Sequence, residues 1–240
     1  MSPSKSGDPN WSPQQRRTMR RAGIGIMVVA AVMVIGSIVM IVQAMTSTHQ
    51  LTPPDATADH SGITAFAGSA ADTAPTVAVY LDYQCPDCAE LQKSYGTALA
   101  DLAKAGKIQL SYHALTFFDQ KVTNDSSAQA ARGAACADVV GYFTDYQDAV
   151  LAAQPTTTGA GFSTDLLRNS IPDGLNMSGG ARSTFEVCFD QGMTSEFVSA
   201  AALANYPLQV PRVMVNGTAL TLQRGATPAE FEAAIQQAAQ

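Results

Sequence analysis

Cys85-Pro86-Asp87-Cys88 is the part of this 240-residue chain with the clearest chemical capacity. Two thiols at that spacing can close a disulfide, exchange it with another thiol pair, or supply half of a metal site. The flanking residues separate these readings. Thr76 to Asp82 is a β-branched and aliphatic run that reads as a buried strand ending just before the pair. Residues 89–104 then place Leu91, Tyr95, Ala98, Leu99 and Leu102 at helical spacing. Cys85 therefore stands at a helix start, where unpaired N–H groups and the positive end of the dipole favour thiolate over thiol. A stabilised thiolate is both a good attacking group and a good leaving group. Cys88 lies one turn further in and would resolve a mixed disulfide by attacking back on Cys85. Pro86 opens the turn without needing an N–H donor. Asp87 suits a helix start but repels a neighbouring thiolate, so it is expected to raise the Cys85 pKa and make the disulfide less oxidising.

The competing chemistries lack partners. A structural zinc site takes four Cys or His ligands, yet Cys136 and Cys188 are isolated and no histidine sits at finger spacing. Haem attachment needs His after the second cysteine, and Ala89 is there. No metal and no cofactor is expected. An inert bridge between Cys85 and Cys88 stands as the bland alternative. Around the pair, Asp82 reads either as a buried carboxylate assisting proton transfer to Cys88 or as a polar cap on the helix side. His113 reads as a packed or surface residue, or as one that tunes the site. Asp119 reads as a turn residue.

The elements that must hold this site follow from periodicity. A short strand is expected near Ile63 to Phe66, after a Thr-, Ala-, Ser-, Asp- and Pro-rich linker. Residues 107–115 alternate as a second strand, with Ile108, Leu110 and Tyr112 on one face. Ser126 to Ala153 is Ala-rich and predicts one long helix or two short ones, with Gly133 and Gly141 as close helix contacts. A short helix is expected over Ser163 to Ser170, with Pro172-Asp173-Gly174 behind it, and a helical pattern over Gly180 to Tyr206. Residues 212–216 and 219–222 flank Asn216-Gly217, a strong hairpin signal. Thr227-Pro228-Ala229-Glu230 predicts a capping box and a last helix. The order is strand, dithiol helix, strand, helical block, hairpin, helix.

The amino-terminal segment sets the compartment. Ala22 to Val42 carries no charge over 21 residues. At about 1.5 Å per residue such a helix spans roughly 30 Å, the thickness of a bilayer core. Arg16, Arg17, Arg20 and Arg21 precede it, and no Lys or Arg follows it until Lys93, so the amino terminus is expected in the cytoplasm and the rest outside. Cleavage as a signal peptide after Val42-Gln43-Ala44 is the competing reading. The whole chain carries 14 Lys plus Arg against 20 Asp plus Glu, a net charge of -6, which argues against a nucleic-acid binder. In an oxidising space Cys136 and Cys188 are expected to pair and staple the helical block, with buried free thiols or a second relay as alternatives.

Leu81-Asp82-Tyr83-Gln84-Cys85-Pro86-Asp87-Cys88 and Val210-Pro211-Arg212-Val213-Met214-Val215-Asn216-Gly217, separated by an Ala-rich helical block, resemble the DsbA-like thiol:disulfide oxidoreductases. The type resembled is the membrane-anchored, actinobacterial one. The resemblance implies an α/β, thioredoxin-like fold with an inserted α-helical domain, preceded by one transmembrane helix. The implied organisation is a cytoplasmic tail (1–21), an anchor (22–44), a linker (45–65), a thioredoxin-like domain (66–121 and 207–240) and a helical insertion (122–206). It also implies a cis Pro211 facing the dithiol, which leaves the backbone of Val210 to pair with an extended substrate. Val210 stands where relatives often carry Thr, which alters substrate release or redox poise. The implied activity is donation of a disulfide to reduced, unfolded exported proteins, with reoxidation by a membrane quinone reductase and a monomeric state. An extracytoplasmic reductase or isomerase is the alternative within the fold, and a redox-inactive binding protein or chaperone is the alternative outside it.

Overall fold

The computed structural model describes residues 50–157, 159–206, 208–221 and 225–240. The expected cytoplasmic tail, the anchor and the first residues of the expected linker lie outside them. Among the described residues no helix is long and apolar enough to cross a membrane.

Among the described residues, five strands form one sheet in the order β1-β3-β2-β4-β5. They are β1 (Ile63–Ala65), β2 (Thr76–Asp82), β3 (Gln109–Leu115), β4 (Arg212–Val215) and β5 (Thr218–Ala219). Alternation decides the faces of β2, whose Val77, Val79 and Leu81 are all buried. β2 and β3 run parallel, joined through helix α1 (Pro86–Lys104), while β4 returns antiparallel to β2. That return brings Arg212 opposite Tyr80 and so sets the residues just before β4 beside the end of β2. The β4–β5 turn is Asn216-Gly217, both at positive φ, with Asn216 Oδ1 accepting the Thr76 N–H at 3.0 Å.

The helices between β3 and β4 form the insertion: α2 (Phe117–Val122), α3 (Ser126–Val139), α4 (Phe143–Ala152), α5 (Ile171–Gly174), α6 (Gly179–Asp190) and α7 (Ser195–Ala204). The Ala-rich stretch is two helices. Gly141, at φ +77°, takes the left-handed position after α3, and the N–H groups of Gly141 and Tyr142 close back on the Asp138 and Ala137 carbonyls. Gly141 is thus a helix stop and not the close contact expected of it. Gly192 does the same between α6 and α7, which splits the helical pattern expected over residues 180–206. Gly133 is a close contact: a Cβ there would collide with the Tyr146 hydroxyl of α4. Pro172-Asp173-Gly174 belongs to a helix that follows the short one. A π-helical turn, Leu166–Ser170, runs straight into α5, and Pro172 sits in its first turn, where no N–H is required.

Helix α8 (Pro228–Ala238) begins with the expected capping box, Thr227 and Glu230 exchanging bonds. It packs on α1 through Phe231, stacked on Tyr95 at 4.4 Å, while α7 packs on β3. Cys136 of α3 and Cys188 of α6 are joined by a disulfide, with Cα atoms 5.7 Å apart and both residues buried. The segment expected as a free linker is held on the domain from its first described residues. Leu51 N–H donates to Met193 O at 2.6 Å, Asp55 N–H donates to Asp138 Oδ2 at 3.0 Å, and Ala56 bridges to Ile63. Composition hid this because the ties use the segment's own main-chain groups, which polar residues offer as readily as apolar ones.

Candidate active site

The site is built where β2 hands over to α1. Cys85 is the N-cap of α1, with extended backbone (φ -84°, ψ 114°), Pro86 at the first helical position and Asp87 in the first turn. An N-cap side chain must accept an orphan N–H, and here the acceptor is sulfur: Cys88 N–H donates to Cys85 Sγ at 3.3 Å. Both cysteines are free thiols, 3% and 1% exposed. Their titration is pulled apart. The hydrogen bond from the Cys88 thiol holds Cys85 below the usual cysteine range, assisted by the Cys88 N–H and opposed by burial and by the Asp82 and Asp87 carboxylates. Burial pushes Cys88 far upward, and its bond to Cys85 adds to that.

The second half of the site arrives from far along the chain. The Val210-Pro211 bond is cis, and the Val210 carbonyl lies 4.0 Å from Cys85 Sγ. The pairing of β4 with β2 makes this approach, because the loop before β4 must start where β2 ends.

Asp82 is fully buried at the end of β2. Its Oδ1 accepts the Gln84 N–H at 2.9 Å and the Ser127 hydroxyl at 2.5 Å, and its Oδ2 accepts the Phe118 N–H at 2.9 Å. Burial pushes the Asp82 carboxyl above the usual carboxylate range against these three bonds. It therefore does not cap α1. It ties the strand end to α2 and α3 while its charge reaches both cysteines. The Gln84 amide extends the tie, its Nε2 lying within hydrogen-bond distance of Asp119 Oδ1 at 2.8 Å, Asn124 Oδ1 at 2.9 Å and Ser127 Oγ at 2.9 Å. Asp119 is accordingly more than a turn residue: it also accepts the Ser127 and Ala128 N–H groups at the start of α3.

His113 is not brought to the dithiol. It is buried, stacked on Tyr80 at 4.6 Å, and its Nδ1 faces the Ser61 carbonyl at 2.9 Å. A carbonyl only accepts, so Nδ1 carries the proton and Nε2 accepts from the Ser111 hydroxyl at 2.9 Å. Burial lowers its pKa. Its contacts tie β3 to the segment before β1, which is a packing role.

Three site neighbours have no sequence signal strong enough to find them: Ser127, Asn124 and Gln154. The last donates from Nε2 to Tyr83 O at 2.6 Å and Cys85 O at 3.0 Å. Beside the pair, a groove of about 740 Å³ runs between α1 and the end of α4, bordered by Pro86, Glu90, Lys93, Asp148 and Gln154. Among the described residues no group of three or more His, Cys, Asp or Glu is placed to hold a metal.

A parallel βαβ unit, a returning hairpin, a terminal helix and a helical insertion between them, with a Cys-x-x-Cys helix start facing a cis-proline, define a thioredoxin-type protein. The chain belongs to the thioredoxin family, whose model, described as Thioredoxin, matches residues 63–237. No curated protein sequence matches it. Several solved structures share its fold. The MdbA protein of Corynebacterium diphtheriae, a thiol-disulfide oxidoreductase, is 18% identical with a TM-score of 0.60, over 80% of this chain and 96% of that one. The MdbA protein of Actinomyces oris is 17% identical with a TM-score of 0.63, over 77% and 92%. Oxidised DsbA of Mycobacterium tuberculosis is 22% identical with a TM-score of 0.58, over 80% and 90%. At these identities the likeness is one of fold.

Proposed function

We propose that the chain is a thiol:disulfide oxidoreductase that donates the Cys85–Cys88 disulfide to reduced, unfolded exported proteins. The observation that carries this reading is the placement of Cys85 as the N-cap of α1, its sulfur accepting the Cys88 N–H at 3.3 Å and lying 4.0 Å from the Val210 carbonyl. The MdbA proteins whose fold it shares are described as thiol-disulfide oxidoreductases, and that activity is carried here as part of the proposal. A substrate thiolate attacks Cys85 Sγ, forming a mixed disulfide and releasing the Cys88 sulfur, which takes up a proton. A second substrate thiolate then attacks the substrate sulfur of the mixed disulfide and expels the Cys85 thiolate. Two electrons pass from the substrate dithiol to the pair, and the substrate gains one disulfide. A membrane quinone reductase then withdraws the two electrons.

Cys85 and Cys88 are the reacting residues in this proposal, and Pro211 presents the backbone of Val210 to the substrate. Pro86, Asp87, Val210 and Asp82 tune the pair. Residues 22–44 serve as the anchor, with a monomeric catalytic domain outside the membrane. A groove of about 260 Å³ with Phe117, Leu203 and Tyr206 exposed along it suits apolar segments of unfolded substrates.

One observation favours the alternative of a reductase or isomerase. The Asp82 and Asp87 carboxylates both push Cys85 back toward thiol, which weakens an oxidant. Equilibration of the pair with glutathione separates the readings. A potential near about -120 mV supports the oxidase, and one near about -270 mV supports a reductase. No exchange at all would return the chain to a redox-inactive binding protein or chaperone.

A further inference from the structure

Gln154 lies two residues beyond α4, between Ala153 and Pro155. A residue before proline is biased to extended backbone, which ends the helix and lets the side chain turn away from it. Its amide nitrogen has two hydrogens, and both are used on one short stretch of chain, toward Tyr83 O at 2.6 Å and Cys85 O at 3.0 Å. The Cys85 carbonyl also accepts the Cys88 N–H at 3.1 Å and the Ala89 N–H at 3.2 Å. The Gln154 amide therefore adds a third donor to the carbonyl of the residue whose sulfur reacts. Tyr83 is held from α4 at its other end too, its hydroxyl donating to Gln147 Oε1 at 3.4 Å.

These contacts have an electrostatic consequence. A carbonyl oxygen carries partial negative charge, and the Cys85 carbonyl belongs to the same residue as the sulfur that becomes a thiolate. An N–H donated to that oxygen offsets its field and aims a positive dipole end at the turn. Fixing the two carbonyls also fixes the N-cap backbone that points Cys85 Sγ at the Cys88 N–H. Both effects act on the charged, reduced form more than on the neutral disulfide.

We propose that Gln154 is a positioning residue through which the helical insertion sets the redox poise of the Cys85–Cys88 pair. The inference rests on the thiol–disulfide reading above. It makes the pair more oxidising than the same turn without the amide.

The test compares the full chain with Gln154→Met, which keeps length without donors, and Gln154→Glu, which keeps shape but presents a carboxylate. The equilibrium constant with glutathione and the melting temperatures of both redox forms are read for each. Loss of the amide is expected to favour the protein disulfide by about threefold to tenfold in that constant, the scale of one ordinary hydrogen bond. Gln154→Glu is expected to move it further the same way. Unchanged constants in both variants, with melting lowered equally in the two redox forms, reduce Gln154 to a structural tie and overturn the inference alone. A wild-type chain that does not exchange with glutathione overturns the functional reading and this inference with it.

Discussion

Asp82 accepts the Ser127 hydroxyl at 2.5 Å and thereby joins the end of the dithiol strand to the first long helix of the insertion. Three donors hold this carboxyl in full burial, so its charge is fixed in place beside the cysteines. Asp82 and Asp87 both raise the Cys85 thiol, Asp82 the more strongly. Asp82→Asn is expected to lower the Cys85 pKa, and Asp87→Asn to lower it less. Ultraviolet thiolate absorbance against pH reads both, and an unchanged or raised value in either variant would sink the electrostatic account.

Asp138 of α3 is buried yet ionisable, and burial pushes its pKa up to about 6, with the Asp55 N–H opposing and the Asp55 carboxylate adding to the rise. A raised acid pKa stabilises the fold below the unfolded value of 3.8, and that contribution is lost as pH rises through about 6. Asp138→Asn should therefore match wild type near about pH 3 and exceed it near about pH 8 by about 1 to 2 kcal/mol after solvent screening. Urea midpoints at the two pH values check this, and equal differences at both would contradict it.

The Cys136–Cys188 bridge spans 52 residues and joins α3 to α6. Replacing both cysteines with alanine should cost about 4 kcal/mol on the chain-entropy account. The glutathione constant of Cys85–Cys88 should stay where it was. A large change in that constant would show that the bridge acts on the site and not only on stability.

Gly133 lets α3 approach α4 closely enough for the Tyr146 hydroxyl to stay buried and donate to Leu167 O at 2.8 Å. Gly133→Ala gains helix propensity but forces Tyr146 aside, and overpacking of this kind costs about 1 to 3 kcal/mol. A melting temperature at or above wild type would mean that the two helices part without penalty.

Much of the scaffold was legible because its signals are local. A strand followed by Cys85-Pro86-Asp87-Cys88, the Asn216-Gly217 turn and the Thr227-to-Glu230 capping box each report what neighbouring residues do to their own backbone. The same locality misled at Gly141. A glycine within an Ala-rich run reads equally as a close contact or a stop, and only the carbonyls it closes on decide between them. His113 stayed open between packing and tuning the site for a related reason. Its place on β3 is local, but the sheet side it faces depends on register, and register turned it to Tyr80 and Ser61.

By itself, then, the amino-acid order determined the dithiol at a helix start, the hairpin and the last helix, since each depends on contacts within a few residues. Tertiary structure decided which distant groups meet Cys85: the Val210 carbonyl at its sulfur, 125 positions away, and the Gln154 amide at its carbonyl, 69 positions away. Their positions follow from strand register and helix packing, which arise from burial summed over the whole domain, and no short stretch of sequence carries that sum.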